Sequence, residues 1–351
     1  MRLGTGLSRW RLWLASLAAA WSVAPGALGA DEALPWTAYA SPQQLVRLPD
    51  GRRMNVVCFG NGAPVVVLES GGGAAAGAWA YVQQAMARTT RTCAYDRSGL
   101  GFSEEGPGPR DAAAAAADLS AMIHAAKLKG PYVLVGHSFG GYVVRLFAEL
   151  HMSQVAGMVL LDPPVEGMAQ RVQAISPVVR ELQDEGRRAQ EEVTKRCTTA
   201  ASTGELKPGT EAFRACVAGP PPGLPPELTT AFLAPYTSPA SFRTAASEVA
   251  TLDRSAAEVV AHPRSLGDMP FIVLIAGEAP NEPRLTESEN LAAEKLRIQI
   301  YGELAALSSR GQKRVVQGAH HYIQRDKPEV VIDAVDEVVA DVRRPVAVAR
   351  P

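Results

Sequence analysis

The stretch from Pro131 to Gly141 reads PYVLVGHSFGG, and the fold can be inferred outward from it. An apolar run of strand type ends in GHSFG, and a pattern of helical spacing follows at once. Gly136 and Gly140 lack Cβ atoms, so strand and helix can approach closely while Ser138 takes a strained backbone conformation. A serine at such a turn is accessible to a base, which this poor nucleophile needs near neutral pH. The flanking strand and helix patterns favour a nucleophile elbow over a chance motif in a loop.

Strand-like and helix-like segments alternate on both sides of this turn. Strand patterns precede it at 45–48, 54–59, 64–68 and 92–95, and follow it at 157–162, 270–276 and 314–317. Repeated strand–helix units predict an α/β fold, in which a mostly parallel sheet is flanked by helices on both faces. The alternation stops after the sixth strand, where 165–264 is charged, proline-rich and mainly helical. We expect a lid at 165–264, inserted between two parts of the core at 41–164 and 265–345.

The charge of the chain is balanced and dispersed. Its 351 residues include 35 Lys and Arg against 36 Asp and Glu, a formal net charge of −1. No run resembles a basic nucleic-acid groove or a polybasic membrane patch. The composition therefore favours a small-molecule substrate as the partner and gives no indication of oligomeric state.

The first thirty residues differ in character from the rest. Arginines at 2, 9 and 11 precede an apolar run at 12–23, and small residues follow at 26–30. This order is typical of a Sec-type signal peptide, and it predicts cleavage near Gly29 or Ala30. The apolar run is short for a membrane span, although an uncleaved anchor is the alternative. We expect a periplasmic or secreted protein without stable membrane insertion after cleavage.

Four cysteines, Cys58, Cys93, Cys197 and Cys216, suit an oxidising compartment. An even number permits two disulfide bonds, and three pairings of four cysteines are possible. A bond between Cys197 and Cys216 would stabilise a local segment with little core of its own. Cys58 and Cys93 lie in separate strand patterns, so they can pair only if those strands are neighbours. Otherwise they are two ordinary buried thiols.

A serine nucleophile requires a base, and histidine is the usual one. His320 and His321 follow Ser138 at a connection between a strand and a helix near the end of the chain. His137 lies inside the turn, where a structural role is expected. The residues alone leave His320 and His321 both open as the base.

Three segments resemble the α/β-hydrolase superfamily: GHSFGG at 136–141, YDRSGLGFS at 95–103 and HYIQRDKP at 321–328. The resemblance covers most of 43–342 and implies an α/β-hydrolase sheet with a catalytic triad and neither metal nor organic cofactor. In that family a hydrophobic pair follows the catalytic histidine, and a proline seven positions on opens the last helix. His321 fits this pattern, with Tyr322 and Ile323 as the pair and Pro328 as the proline. His320 lies one residue too early to fit it.

The same resemblance bears on the acid of the triad, which relatives place after either of two strands. Asp162 ends the strand before the lid, and it preserves the chain order Ser, Asp, His. The later position lacks the aspartate that many relatives carry, and Glu278 is the carboxylate there. We therefore expect Asp162 to be the acid. A merely structural Asp162, with Glu278 as the acid, is the alternative.

Two backbone N–H donors are expected to form an oxyanion hole. Phe139 follows the nucleophile directly, and Gly72 in the run Ser70 to Gly73 corresponds to the second donor of relatives whose motif begins with His-Gly. Ser70 replaces that histidine here. Asp96 and Arg97 of the YDRSG segment are expected to lock a structural turn beside the site as a pair, without a catalytic role.

The sequence thus predicts an exported serine hydrolase that cleaves a carboxylic ester or related acyl compound through an acyl-enzyme intermediate. Ser138 attacks, His321 transfers the proton, and Asp162 orients the imidazole. An amidase or aminopeptidase using the same triad is one alternative, and a non-catalytic ligand-binding homologue is another. Dehalogenases and epoxide hydrolases are less favoured, because they usually carry aspartate at the position of Ser138.

Overall fold

The structure is a computed structural model, and it describes residues 34–261, 265–278 and 281–344. The predicted signal peptide at 1–30 lies outside the described residues. None of the helices in the described ranges combines the length and the apolar character needed to cross a bilayer.

Eight strands form one sheet in the order β1-β2-β4-β3-β5-β6-β7-β8. The strands are β1 (Gln44–Arg47), β2 (Arg53–Phe59), β3 (Val65–Glu69), β4 (Thr92–Tyr95), β5 (Tyr132–His137), β6 (Val155–Leu161), β7 (Phe271–Ala276) and β8 (Gly311–Val316). β1 and β2 pair antiparallel, as do β2 and β4, and all the other neighbours are parallel. The prediction of a mostly parallel sheet is confirmed.

The helices of the core lie on both faces of this sheet. They are α1 (Gln83–Met86), α2 (Ala112–Ala125), α3 (Gly140–Leu150), α10 (Glu287–Ala305), α11 (Ile323–Asp326) and α12 (Pro328–Arg343). One apolar cluster joins α2 and α3 to one face, and a second joins α1 and α12 to the other. The strands β3 and β5 are buried along their whole length, as expected for a parallel sheet covered on both faces.

Further helices lie between β6 and β7, in the described part of the predicted lid. They are α4 (Met168–Gln173), α5 (Pro177–Ser202), α6 (Glu211–Cys216), α7 (Thr229–Leu233), α8 (Pro239–Ala250) and α9 (Leu252–Val260). No strand occurs in the described residues from 165 to 261. We call this segment the helical insertion.

Two disulfide bonds connect the four cysteines. Cys58 on β2 lies directly opposite Cys93 on β4, so the strands are neighbours as this pairing requires. Cys197 near the end of α5 is bonded to Cys216 at the end of α6. Phe242 of α8 packs in the same small apolar cluster as the second bond, which gives this part of the helical insertion its own core.

Candidate active site

Two strained turns lie side by side at the carboxyl edge of the sheet. Ser138 follows β5 with φ of +49°, and Asp162 follows β6 with φ of +41°. This left-handed region is uncommon for residues other than glycine, and strain there is characteristic of functional sites. The Ser138 N–H donates to the Leu161 oxygen at 3.0 Å, and the Asp162 N–H donates to the Leu274 oxygen at 2.8 Å. The turns are thus anchored to adjacent strands.

Glycines make the Ser138 turn sterically possible. A Cβ atom on Gly136 would lie 2.8 Å from the Gly140 oxygen, and one on Gly140 would lie 2.6 Å from the Glu69 oxygen. Neither position has room for a side chain, because the obstructing atoms belong to the backbone. The start of α3 is therefore packed directly against the ends of β3 and β5.

His321 and Asp162 are brought together from positions 159 residues apart. The His321 Nδ1 lies 2.8 Å from Asp162 Oδ2. Because an ionised carboxylate only accepts hydrogen bonds, Nδ1 is the donor, and the lone pair of neutral His321 is then on Nε2. This arrangement fixes the ring orientation and leaves Nε2 as the basic nitrogen.

The Asp162 carboxyl is buried but well supplied with donors. Its Oδ1 accepts from the Ala276 N–H and from the Tyr301 hydroxyl, both at 3.2 Å, and Arg297 Nη1 lies 3.7 Å away. Burial alone would raise the pKa of Asp162, but the His321 hydrogen bond and the nearby positive charges outweigh it. The pKa of Asp162 is therefore below its ordinary value, and the carboxylate is ionised near neutral pH.

The alternative residues have other partners. His320 Nδ1 faces Asp326 Oδ2 at 3.2 Å rather than Asp162. Glu278 Oε1 accepts from the Gly318 N–H at 3.1 Å, which braces the loop after β8. Among the candidates from the sequence, the structure pairs His321 with Asp162 and gives His320 and Glu278 separate roles.

His137 connects His321 to the Ser138 turn. Its ring centroid lies 4.8 Å from that of His321, and its Nε2 donates to the His321 carbonyl oxygen at 2.9 Å. Ser138 itself is partly buried, and its hydroxyl makes no hydrogen bond to a residue in the described ranges. His137 therefore links the two residues, because it precedes Ser138 in the chain and contacts His321. No hydrogen bond joins the Ser138 hydroxyl to His321.

The predicted oxyanion donors also lie close together. Phe139 is the N-cap of α3, and a Cβ atom on Gly72 would be 3.7 Å from the Phe139 Cβ. Within the described part of the chain, neither the Phe139 nor the Gly72 N–H donates to a protein acceptor. The helix N-terminus adds a positive electrostatic field at the same place. This arrangement suits a developing negative charge.

Arg97 holds the loop that contains Gly72. The guanidinium donates to the Ser70 oxygen at 2.6 Å and to the Gly71 oxygen at 2.7 Å. It also pairs with Glu69 at 2.5 Å and with Glu248 of α8 at 2.8 Å, and all three charged side chains are 3% exposed or less. Burial, the largest effect, raises the pKa of Glu69, whose carboxyl also accepts from the Tyr95 hydroxyl.

Glu248 completes this loop from the helical insertion. Its Oε2 accepts from the Gly73 N–H at 2.7 Å and from Arg97 Nη2 at 3.1 Å. Since Gly73 follows Gly72, the orientation of the candidate oxyanion donor depends on a carboxylate that lies 175 residues further along the chain. Glu248 could not be predicted from the sequence, because nothing local marks it among the other glutamates.

The expected pairing of Asp96 with Arg97 differs from what the structure shows. Asp96 accepts instead from the Ala76 N–H at 2.8 Å, from the Asn55 amide at 2.9 Å and from the Phe102 N–H at 2.9 Å. It locks the glycine-containing turn through backbone N–H groups, while Arg97 bonds to the two glutamates. A buried guanidinium requires anionic partners, and Glu69 and Glu248 supply them here.

A cavity of about 150 Å³ opens beside the loop at 70–73, which we call the oxyanion loop because it carries the candidate donor Gly72. Gly72, Gly73 and Tyr322 form its wall on the core side. The aromatic residues Phe232, Tyr236 and Phe242 of the helical insertion line the other side. The cavity therefore lies between the loop that carries Gly72 and the helical insertion. Within the described residues, no group of three or more His, Cys, Asp or Glu side chains is arranged to hold a metal ion.

Comparison with known proteins identifies the family. Residues 65–334 match the model of the alpha/beta hydrolase family, and the chain belongs to this family. A thermophilic esterase from Thermogutta terrifontis has a similar structure, with a TM-score of 0.52 and 21% identity, covering 86% of this chain and 100% of that one. The epoxide hydrolase CorEH gives a TM-score of 0.57 and 19% identity, covering 86% of this chain and 99% of that one. At these identities both similarities concern the fold alone.

A curated relative matches over a shorter segment. The protein named "Probable transporter efuK" of Hormonema carpetanum is 37% identical over 109 residues, which are 30% of this chain and 16% of that protein. The matched segment is a small part of that relative's length, so the similarity concerns the segment and not the activity of the whole protein.

The contacts of Glu248 predict a large effect of Glu248→Gln on stability. Both carboxylate oxygens accept from N–H donors, so the amide nitrogen of glutamine would face a donor in either orientation. Removing one partner of a buried ion pair typically costs about 3 kcal/mol or more. Urea denaturation should show this loss, while Glu191→Gln on an exposed part of α5 should change the unfolding free energy by less than about 0.5 kcal/mol. Equal effects of the two substitutions would contradict this role of Glu248.

The environment of His137 predicts a dependence of stability on pH. Burial, together with the nearby His321, lowers the pKa of His137 from 6.5 to about 3. Between these values the unfolded chain binds the proton and the folded chain does not, so folding stability falls as the pH falls through this window. The extra slope approaches about 1.4 kcal/mol per pH unit. In His137→Gln, whose amide can still donate to His321, unfolding free energies measured from pH 7 to pH 4 should lack this component. An unchanged pH dependence would be inconsistent with a neutral, buried His137.

Proposed function

We propose that the protein is a serine hydrolase that cleaves a carboxylic ester or related acyl compound. The observation that carries this proposal is the His321–Asp162 hydrogen bond of 2.8 Å at the same sheet edge as the strained Ser138 turn. The two unused N–H groups of Phe139 and Gly72 beside that turn supply the electrostatic element that acyl transfer needs.

In the proposed mechanism the Ser138 hydroxyl oxygen attacks the substrate carbonyl carbon. His321 Nε2 takes the hydroxyl proton, and Asp162 stabilises the resulting imidazolium through Nδ1. The carbonyl oxygen becomes an oxyanion facing Phe139 and Gly72. When the intermediate collapses, the bond to the leaving alcohol breaks and His321 returns the proton to its oxygen. Water, deprotonated by His321, then attacks the acyl carbon. The bond between that carbon and the Ser138 oxygen breaks, His321 returns the proton to Ser138, and the acid is released.

The Ser138 hydroxyl makes no hydrogen bond within the described residues, which is compatible with this mechanism. In enzymes without substrate the nucleophile and base are often poorly aligned, and they come together in the complex. Ser138 argues against an epoxide hydrolase activity, because those enzymes usually carry aspartate at the position that serine occupies here.

We also propose that the protein acts outside the cytoplasm after removal of residues 1–30. Support comes from the order of charged, apolar and small residues in that segment and from the pairing of all four cysteines.

A fluorophosphonate probe tests the nucleophile. It should label the wild-type protein at one serine, located by mass spectrometry of the Ser138 peptide, and it should not label Ser138→Ala. Ser70→Ala is a suitable control, because Ser70 lies in the oxyanion loop but its hydroxyl donates to the Ala75 oxygen at 3.1 Å. A folded wild-type protein that resists the probe and cleaves no activated ester would support the non-catalytic alternative.

The acid can be tested by comparing Asp162→Asn with Glu278→Gln on a p-nitrophenyl ester. Losing the charge that orients His321 should lower kcat by about 10³- to 10⁴-fold in Asp162→Asn. Glu278→Gln should change kcat by only a few fold, because Glu278 braces the loop through Gly318. The reverse order, or two small losses, would remove Asp162 from the mechanism. A parallel panel of anilides would show whether the amidase alternative holds.

A further inference from the structure

Gln324 is a buried polar side chain whose amide has no partner. It lies on α11, three residues after His321, and it is 1% exposed. Neither its Oε1 nor its Nε2 has a hydrogen-bond partner among the described residues. Buried polar atoms are nearly always paired in native proteins, and leaving them unpaired is costly. An amide with both atoms unpaired therefore calls for a missing partner.

The position of Gln324 indicates where that partner comes from. Gln324 forms part of the wall of the cavity described above, together with Gly72 and Tyr322. Two side-chain hydroxyls of the same wall are already satisfied within the protein. The Tyr81 hydroxyl donates to the Pro222 oxygen at 2.9 Å, and the Ser241 hydroxyl donates to the Pro235 oxygen at 2.7 Å. Gln324 thus differs from these neighbours in having its hydrogen-bonding capacity unused.

The rest of the wall determines the character of a matching ligand. Most of the residues that line the cavity are glycine, alanine or aromatic. Arg325 also contributes, but its Nε donates to Asp326 at 3.0 Å and its guanidinium lies 5.2 Å from the Tyr322 ring centroid. The positive charge next to Gln324 is therefore balanced by Asp326. Such a site suits an uncharged ligand with an apolar body and one polar group.

We propose that Gln324 selects substrates that carry a neutral group with both a hydrogen-bond donor and an acceptor, of which a primary carboxamide is the simplest. An amide side chain offers one acceptor oxygen and two donor hydrogens, so a second amide can satisfy both atoms at once. A carboxylate or ketone would leave Oε1 without a donor, and an ammonium group would leave Nε2 without an acceptor. This assignment rests on the proposed function, because it describes the substrate of the same site.

Binding to the Ser138→Ala protein tests the proposal without requiring turnover. The probes are hexanamide, 2-heptanone and hexanoate, which have similar length and differ in the polar end. In calorimetric titrations hexanamide should bind at least about tenfold more tightly than either of the others, since one unpaired polar atom is worth roughly that factor. Adding Gln324→Leu should bring the affinity for hexanamide down to that for 2-heptanone.

Gln299→Leu is the matched control, because Gln299 is exposed on α10 and bonds to Glu303. It should leave all three affinities unchanged. Equal binding of hexanamide and 2-heptanone to the Gln324 protein would overturn the proposal, as would a preference for hexanamide that survives Gln324→Leu. Should Gln324→Leu fail to fold, Gln324→Glu in the same background is the second variant. It should bind hexanamide about tenfold more weakly and still prefer hexanamide to hexanoate. Retention of full affinity for hexanamide would contradict the assignment.

An activity measurement separates this proposal from the proposed function. Wild-type protein should cleave a p-nitrophenyl ester whose acyl chain ends in a carboxamide with a kcat/KM at least about tenfold above that of the corresponding methyl ketone. Cleavage of both esters at equal rates would leave the hydrolase intact and remove the role of Gln324. Cleavage of neither ester, with hexanamide still preferred in the titrations, would instead refute the hydrolase and retain the binding site.

Discussion

The buried guanidinium of Arg97 is the interaction on which the organisation of the site depends. A charge that cannot reach water must be satisfied by its protein partners, because the cost of removing it from water is several kcal/mol. Here the partners are Glu69 at the end of β3, two carbonyl oxygens of the oxyanion loop, and Glu248 of α8. The core and the helical insertion therefore cannot separate at this point without breaking the buried Arg97–Glu248 ion pair. The geometry of the loop follows from the same requirement.

A second constraint comes from the parallel sheet itself. The strands β5, β6, β7 and β8 all end at one edge, so the residues that follow them meet there. Ser138 and Asp162 both adopt left-handed backbone conformations, each with a cost on the order of 1–3 kcal/mol. Their N–H groups continue the hydrogen bonding of the neighbouring strands, which holds the turns in place. Strain at two adjacent strand ends thus presents two polar side chains at one edge.

The sequence predicted what is local and periodic. The Ser138 turn, the alternation of strands and helices and the interruption after β6 are all marked by glycines, apolar runs or changes of composition. The choice of His321 over His320 came from family resemblance, and the structure pairs His321 with Asp162. Tyr301 and Arg297 of α10, which brace Asp162, were not found, although their spacing of four residues places them on one helix face.

Long-range pairings could not be predicted, because no local pattern specifies them. The pairing of Arg97 with Glu248 spans 151 residues, and the expected partner Asp96 was only the nearest carboxylate in sequence. The disulfide between Cys58 and Cys93 likewise required knowing that β2 and β4 are neighbours. Helix α8 illustrates the consequence: Phe242 and Ala245 line the cavity, and Glu248, three residues on, holds Gly73. Since one helix forms both contacts, a shift of α8 that reshapes the cavity must also move the Glu248 carboxylate that accepts from Gly73. The shape of the cavity is therefore coupled to the geometry of the oxyanion loop through a single helix.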